Sequence, residues 1–154
     1  WDLFLLAGDP QSSDEIKRGN VRGGVAFAAP DGLFFDPNGV LWIQTDSSTK
    51  NMLTADWANI GNNQMLAADP TTGEVRRFLT GPVGCEITGN GQTPDGKTLF
   101  VNIQHPGELP LDHPPRSDPQ NPKAQSDWPD GQSGGRPRSA TLAIRREDGA
   151  PIGT

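Results

Sequence analysis

Two carboxylates stand at matching places in the sequence and could together bind a hard cation. Asp31 lies six residues before Pro37, and Glu86 lies eight residues before Pro94. Each proline begins a turn segment that is closed by glycine and followed by an apolar run, so each carboxylate is expected at the start of a strand. If these strands are the innermost strands of neighbouring sheets, both carboxylates meet at one mouth of a channel. Carboxylate oxygens are the ligands that Ca²⁺ prefers.

Each acidic candidate also has a structural interpretation. Asp31 belongs to Pro-Asp-Gly, an ordinary turn sequence, so a turn cap and a metal ligand are equally open. Glu86 lies between Cys85 and Ile87 in an otherwise apolar strand, where an unpaired carboxylate is costly, and this favours a ligand role. Asp46 follows the end of a predicted strand and either caps a turn or reaches a metal.

The two histidines and the cysteine complete the reactive side chains. His105 ends a predicted strand at a Pro-Gly turn and could be a metal ligand, a phosphate donor or a structural hydrogen-bond partner. His113 lies among prolines and is expected to be solvated. Cys85 alternates with Glu86 along a strand, so its side chain is expected to pack inside. The sequence has no HExxH motif, nucleophile elbow, phosphate-binding P-loop or dinucleotide fingerprint.

Charge and composition exclude several classes of protein. The net charge is −6, from 19 acidic and 13 basic residues, and such a surface repels nucleic acid. A single cysteine cannot form an internal disulfide or a zinc site of several cysteines. No apolar stretch is long enough to span a membrane. The sequence begins at Trp1 with a strand-like run, and we interpret it as a segment of a longer protein.

The elements that must position these side chains are predicted to be short strands. Gly and Pro together number 34 of 154 residues, from 19 and 15, which is too many for a helical protein. Tight turns are predicted at Asp36–Gly39, Pro70–Gly73 and Thr93–Gly96. The pattern of strand, proline turn, glycine and strand occurs twice, with the two prolines, Pro37 and Pro94, 57 positions apart.

This repeat predicts an all-β fold, a β-propeller fragment of about two blades of antiparallel strands with a long Pro-rich loop. A β-sandwich is the alternative that the repeat disfavours. We divide the chain into propeller blades (1–104), a Pro-rich loop (105–138), and a closing strand with a C-terminal tail (139–154). About eight strands are expected, the first at Trp1–Ala7, and the polar stretch Asp9–Gly24 is expected to be a loop.

Three segments resemble the C-terminal part of the PhoX-type alkaline phosphatases. They are PDGLFFDPNGVLWIQTD, NNQMLAADPTTGEVRRFLTGPVGCEITG and TPDGKTLFVNIQHPGE. The run Leu99–Glu108, together with Glu86–Gly89, is the most specific part of the likeness. Arg136–Ser139 before the last strand also fits. The resemblance covers the chain apart from the Pro-rich loop, although family members are several times longer.

The resemblance implies a propeller that binds Ca²⁺ and Fe³⁺, hydrolyses phosphate monoesters and is exported to the periplasm or secreted. It makes Glu86 the best metal ligand, with Asp31, Asp46 and His105 as weaker candidates. The remaining ligands would lie on blades absent here, so we expect this chain alone to be inactive. Its open blade edges should be covered by the missing blades or by self-association.

Two other functions remain open at this stage. A calcium-dependent lactonase propeller also uses Pro-Asp-Gly turns and channel carboxylates, although the run Gln104–Glu108 argues against it. A propeller without catalytic activity that serves as a binding platform is the second alternative.

Overall fold

The computed structural model describes residues 1–52, 57–108 and 118–154. Its strands form two antiparallel sheets, each built in chain order. The first sheet contains β1 (Pro30–Phe35), β2 (Leu41–Thr45), β3 (Gln64–Ala68) and β4 (Val75–Thr80). The second sheet contains β5 (Glu86–Gln92), β6 (Leu99–Gln104) and β7 (Ala140–Ile144). The all-β architecture predicted from the turn spacing is therefore confirmed.

The three predicted hairpin turns join β1 to β2, β3 to β4, and β5 to β6. In each turn an aspartate side chain accepts backbone N–H groups from the residues that follow it. Asp69 accepts from Thr71 at 2.7 Å, and Asp95 accepts from Lys97 at 3.1 Å. These bonds favour the ionised form and lower the pKa of both carboxyls; the largest effect on Asp95 is the bond from the Thr93 hydroxyl. The turn hydrogen bonds therefore explain why aspartate occurs at these positions, and no catalytic or metal-binding role is needed.

Asp36, the first residue of its turn, bonds a buried indole, whereas Asp95, the third residue of its turn, does not. Asp36 Oδ1 accepts the N–H groups of Asn38 at 2.9 Å and Val40 at 3.0 Å. Its Oδ2 accepts the indole N–H of Trp42 at 3.0 Å, and both residues are buried. A buried indole donor needs such an acceptor, so the first turn is tied directly to the core.

The main core lies between the two sheets. Trp42 and Met65 of the first sheet pack against one apolar face of the second sheet, which contributes Ile87, Leu99, Val101 and Ile103. The opposite face of the first sheet forms a second cluster, in which Leu41, Ile43, Leu66 and Val75 pack against the buried Phe27. The first sheet is thus covered on both faces, as expected for a propeller blade between neighbours.

A side-chain hydrogen bond joins the two sheets. Gln44 on β2 donates from Nε2 to the carbonyl of Gly89 on β5, at 2.9 Å. Gly32 on β1 pairs with Gln44, and a Cβ at position 32 would lie 2.4 Å from Gln44 Oε1. Glycine at position 32 therefore leaves room for the Gln44 side chain, which connects the first sheet to β5.

The N-terminal segment differs from the prediction. Trp1–Ala7 is not a strand, because its backbone joins no ladder. Only Leu5 and Ala7 pack onto the first sheet, and the other large apolar side chains of the segment are exposed. Asp9–Gly24, expected to be a loop, contains one helical turn, α1 (Glu15–Arg18), whose N-terminus is capped by Asp14. Seven strands are therefore found in the described residues, where about eight were expected.

The Pro-rich segment has no helix or strand at residues 105–108 and 118–138, the parts that the structure describes. It is nevertheless attached, because Trp128 packs against the main core. The tail after β7 folds back between the sheets, where Ile152 is 3% exposed and its N–H donates to the carbonyl of Gly96. Among the described residues, no helix is long and apolar enough to cross a membrane.

Candidate metal and active site

Glu86 begins β5 and lies opposite Gln104, the last residue of β6. Its side chain is 13% exposed, and its Oε2 accepts a short hydrogen bond from Gln104 Nε2. Its Oε1 has no hydrogen-bond or ionic partner among the described residues. One oxygen of a nearly buried carboxylate is therefore fixed by the protein, and the other is left available.

His105 follows β6 and places its ring between two carboxylates. Nδ1 lies 2.9 Å from Glu108 Oε2 and 3.2 Å from the carbonyl oxygen of Gly84. Nε2 lies 3.6 Å from Glu86 Oε2. The φ of His105 is 39°, a conformation that costs a residue other than glycine about 1–3 kcal/mol. The fold therefore holds this ring at a position that the local backbone does not favour.

A turn docked against the start of β5 holds His105 in this place. Gly107 N–H donates to the carbonyl of Val83 at 2.7 Å. Gly84 has a φ of 70°, and a Cβ there would lie 2.4 Å from the carbonyl oxygen of Glu108. The close approach of the two backbones requires glycine at position 84. The segments Gly84–Glu86 and His105–Glu108 thus form one unit.

Asp31 lies within a strand, so its interpretation as an ordinary turn cap is wrong. Pro30 pairs with Thr45 and Gly32 with Gln44, which leaves Asp31 as the extra residue of a β-bulge. Bulges redirect side chains and are common beside active sites. Asp31 is exposed, and its carboxylate has no hydrogen bond or ion pair with the described residues.

Asp46 follows β2 at the same end of the first sheet, and its N–H donates to the carbonyl of Ala29. Its exposed carboxylate has no partner among the described residues. Of the four predicted ligands, the structure brings Glu86 and His105 together, whereas no contact joins Asp31 or Asp46 to them. The site shared by Asp31 and Glu86 stays a prediction.

The described part of the chain does not complete a metal site. No three His, Cys, Asp or Glu side chains within it are grouped as they would be around one ion. The donors present still fit a partial site, since Glu86 keeps one free oxygen and no arginine or lysine neutralises it among the described residues. His113 lies outside the described residues.

Cys85 is not available as a ligand or nucleophile in this structure. It is fully buried in the main core, as expected from its alternation with Glu86. Burial raises the pKa of its thiol to about 12, with a smaller contribution from the charge of Glu86. The thiolate needed for metal binding or attack is therefore strongly disfavoured.

An open cavity of about 520 Å³ adjoins the His105–Glu108 turn. Among the described residues, its charged lining consists of the guanidinium of Arg136 and the carboxylates of Glu108 and Asp118. Prolines of the Pro-rich segment form much of the remaining wall. Because both signs of charge are present, this lining does not by itself select an anion.

Sequence reasoning missed Gln104, Glu108 and Gly84 as parts of the site. Glu108 follows His105 by three residues across a Pro-Gly turn, a spacing that brings two side chains together on one side of a turn. That signal was present in the sequence. The role of Gly84 depends on the approach of a turn that lies more than 20 residues further along the chain, and no local pattern indicates it.

Two blade-like antiparallel sheets that share one apolar core define a β-propeller fragment. A profile of the family described as Alkaline phosphatase PhoX matches residues 1–107. The chain therefore belongs to the PhoX alkaline phosphatase family.

A solved structure supports the same assignment over almost the whole chain. It is Pseudomonas fluorescens PhoX in complex with vanadate, a transition state analogue, and it is 46% identical with a TM-score of 0.81. The alignment covers 99% of this chain and 24% of that one, so the chain spans about a quarter of that protein's length. No functionally curated protein matches the sequence.

Proposed function

We propose that this chain is a segment of an exported phosphatase that hydrolyses phosphate monoesters with the help of Ca²⁺ and Fe³⁺. The observation that carries the proposal is the pair formed by Glu86 and His105 within a chain of the PhoX family. Vanadate, bound by the related Pseudomonas fluorescens protein, is named there as a transition state analogue, which fits phosphoryl transfer.

Glu86 is the ligand that the geometry supports best. Its side chain is nearly buried, one oxygen is held by Gln104, and the other faces no cationic side chain among the described residues. A carboxylate withdrawn from water in this way is stabilised when a cation binds to it. His105 contributes a ring nitrogen beside it, and Asp31 and Asp46 are proposed to contribute from the first sheet.

The metal ions would supply stabilisation of the negative charge that develops on the phosphoryl oxygens in the transition state. The residues of this chain would hold the metal-binding side chains in place and exclude water from around them. Gln104 orients the Glu86 carboxylate, and the packed core behind Cys85 excludes water from the base of β5. Further ligands and the groups that contact phosphate are proposed to come from the blades that this chain does not contain.

The test is Glu86→Gln in the full-length parent protein. Loss of the ligand charge should lower turnover of p-nitrophenyl phosphate by orders of magnitude and reduce bound Ca²⁺ and Fe³⁺, measured by elemental analysis. Glu147→Gln is the matched control, because Glu147 is an exposed carboxylate without a described partner, and it should leave both quantities unchanged.

Unchanged turnover in Glu86→Gln would reassign Glu86 to a structural role. A parent that opens lactones and leaves phosphate esters intact would favour the lactonase alternative. A parent without metal or hydrolytic activity would favour a binding platform.

A further inference from the structure

We infer that Glu108 is a positioning residue that fixes the tautomer of His105, so that the Nε2 lone pair faces the Glu86 carboxylate. This inference rests on the proposed function in one respect: it takes Glu86 and His105 as neighbouring donors toward a metal ion.

The hydrogen bonds at Nδ1 determine which nitrogen carries the proton. Glu108 Oε2 at 2.9 Å and the Gly84 carbonyl oxygen at 3.2 Å are both acceptors, and neither can donate a proton to the ring. Nδ1 must therefore carry hydrogen for either contact to be favourable. In a neutral imidazole the other nitrogen, Nε2, is then left with a lone pair.

The surroundings of Nε2 point to a cation acceptor. Glu86 Oε2 lies 3.6 Å from it, which is longer than a hydrogen bond. Gln104 already donates to that oxygen, so Glu86 does not depend on His105 for a donor. A ring nitrogen lone pair beside a carboxylate places two electron-pair donors next to each other, and a bound cation would stabilise this arrangement.

The arrangement on the far side of the ring has the form seen around metal-binding histidines. Such a histidine almost always donates its second ring N–H to a carboxylate or a carbonyl, which fixes the ring and raises its basicity. His105 has both kinds of acceptor on Nδ1. Glu108 is held in position because its own N–H donates to the carbonyl of His105 at 3.1 Å and its backbone is packed against Gly84.

Glu108 can be replaced without disturbing the core, because its side chain is 60% exposed. Glu108→Ala removes the carboxylate, whereas Glu108→Gln keeps an oxygen acceptor at the same place. Glu147→Ala serves as the control for loss of an exposed carboxylate.

The first measurement is the tautomer of His105 in this chain, from long-range ¹H–¹⁵N correlation spectra. They are recorded about two pH units above the ordinary imidazole pKa of about 6.5, and His113→Gln assigns the signals. The expected result is a proton on Nδ1 in the unchanged chain and in Glu108→Gln, and a shift toward Nε2–H in Glu108→Ala. A proton on Nε2 in the unchanged chain, or one that stays on Nδ1 as fully in Glu108→Ala as in the unchanged chain, overturns the inference.

The second measurement is metal affinity in the full-length parent, by titration with Ca²⁺ and with Fe³⁺ after chelation. Glu108→Ala should weaken the affinity for at least one of the two ions by roughly 10–100-fold, with partial recovery in Glu108→Gln. Affinity unchanged by Glu108→Ala overturns the inference. A parent that shows the expected tautomer and loss of metal but no phosphatase activity contradicts the proposed function and supports this inference.

Discussion

Replacing Asp36 by asparagine separates the two roles of its carboxylate in the turn between β1 and β2. The oxygen of the asparagine amide can still accept the N–H groups of Asn38 and Val40, which bind Asp36 Oδ1 at 2.9 and 3.0 Å. The amide NH₂ then takes the place of Oδ2 and faces the indole N–H of Trp42. Two donors would oppose each other where the native structure has a 3.0 Å hydrogen bond.

The size of the effect follows from burial. Trp42 is 1% exposed and Asp36 is 5% exposed, so water cannot replace the lost acceptor. A buried donor left without a partner costs about 1–3 kcal/mol. Asp36→Ala also loses the two turn bonds, at about 0.5–1.5 kcal/mol each, and should cost about 2–6 kcal/mol in total. Against a typical unfolding free energy of about 5–15 kcal/mol, either loss is easily measured.

The assay is urea unfolding followed by far-ultraviolet circular dichroism. Asp95→Asn is the matched control, because Asp95 occupies the corresponding turn of the second repeat but its carboxylate is exposed and bonds no indole. Trp42→Phe removes the donor, so Asp36→Asn should cost clearly less in that background. An equal cost in both backgrounds, or a cost no larger than that of Asp95→Asn, would refute the reasoning.

Three further outcomes are expected. Gly84→Ala should destabilise the chain more than Gly24→Ala, since both positions have positive φ but only the Gly84 Cβ would meet the backbone of Glu108; equal losses would contradict the close approach. Cys85 should resist Ellman's reagent at pH 8 until urea is added, and rapid labelling of the native chain would contradict its burial. Because the folded pKa of the thiol, about 12, exceeds the unfolded value of about 8.5, the free energy of unfolding should fall as the pH rises above that unfolded value. The chain alone should not hydrolyse p-nitrophenyl phosphate with added Ca²⁺ and Fe³⁺, and light scattering should show that it self-associates through its open sheet edges. Turnover by a clean monomer would contradict an active site that needs further blades.

The hairpins could be predicted from the sequence because their determinants are local. Pro37 and Gly39 set the backbone of one turn, and the aspartate at its start supplies the acceptor. The apolar run Trp1–Ala7 gave the wrong element, since apolar character alone does not decide whether a segment pairs in a sheet or lies partly exposed along its face. Asp31 was ambiguous for a similar reason, because Pro-Asp-Gly suits a turn and a bulge alike.

The candidate site could be predicted only in part. Glu86 was found because a carboxylate in an apolar strand is costly without a partner. The proximity of His105 to Glu86 follows from antiparallel pairing of β5 with β6, which the hairpin turn implies. The pairing of Glu108 with His105 could have been predicted from their spacing across a Pro-Gly turn. The docking of that turn against Val83 and Gly84 was out of reach, because no local pattern indicates it.

Ile152 has a consequence for the order in which the chain folds. It reaches the core that contains Trp42, a residue 110 positions earlier in the chain. This contact therefore closes a long loop. The hairpins close much shorter loops and should form first, because long-range contacts repay their closure entropy late. The tail should therefore pack last, and its contacts should be absent from the transition state for folding. Ile152→Val would accordingly speed unfolding while leaving the refolding rate nearly unchanged in stopped-flow measurements. A slower refolding rate would place the packing of Ile152 in the folding nucleus.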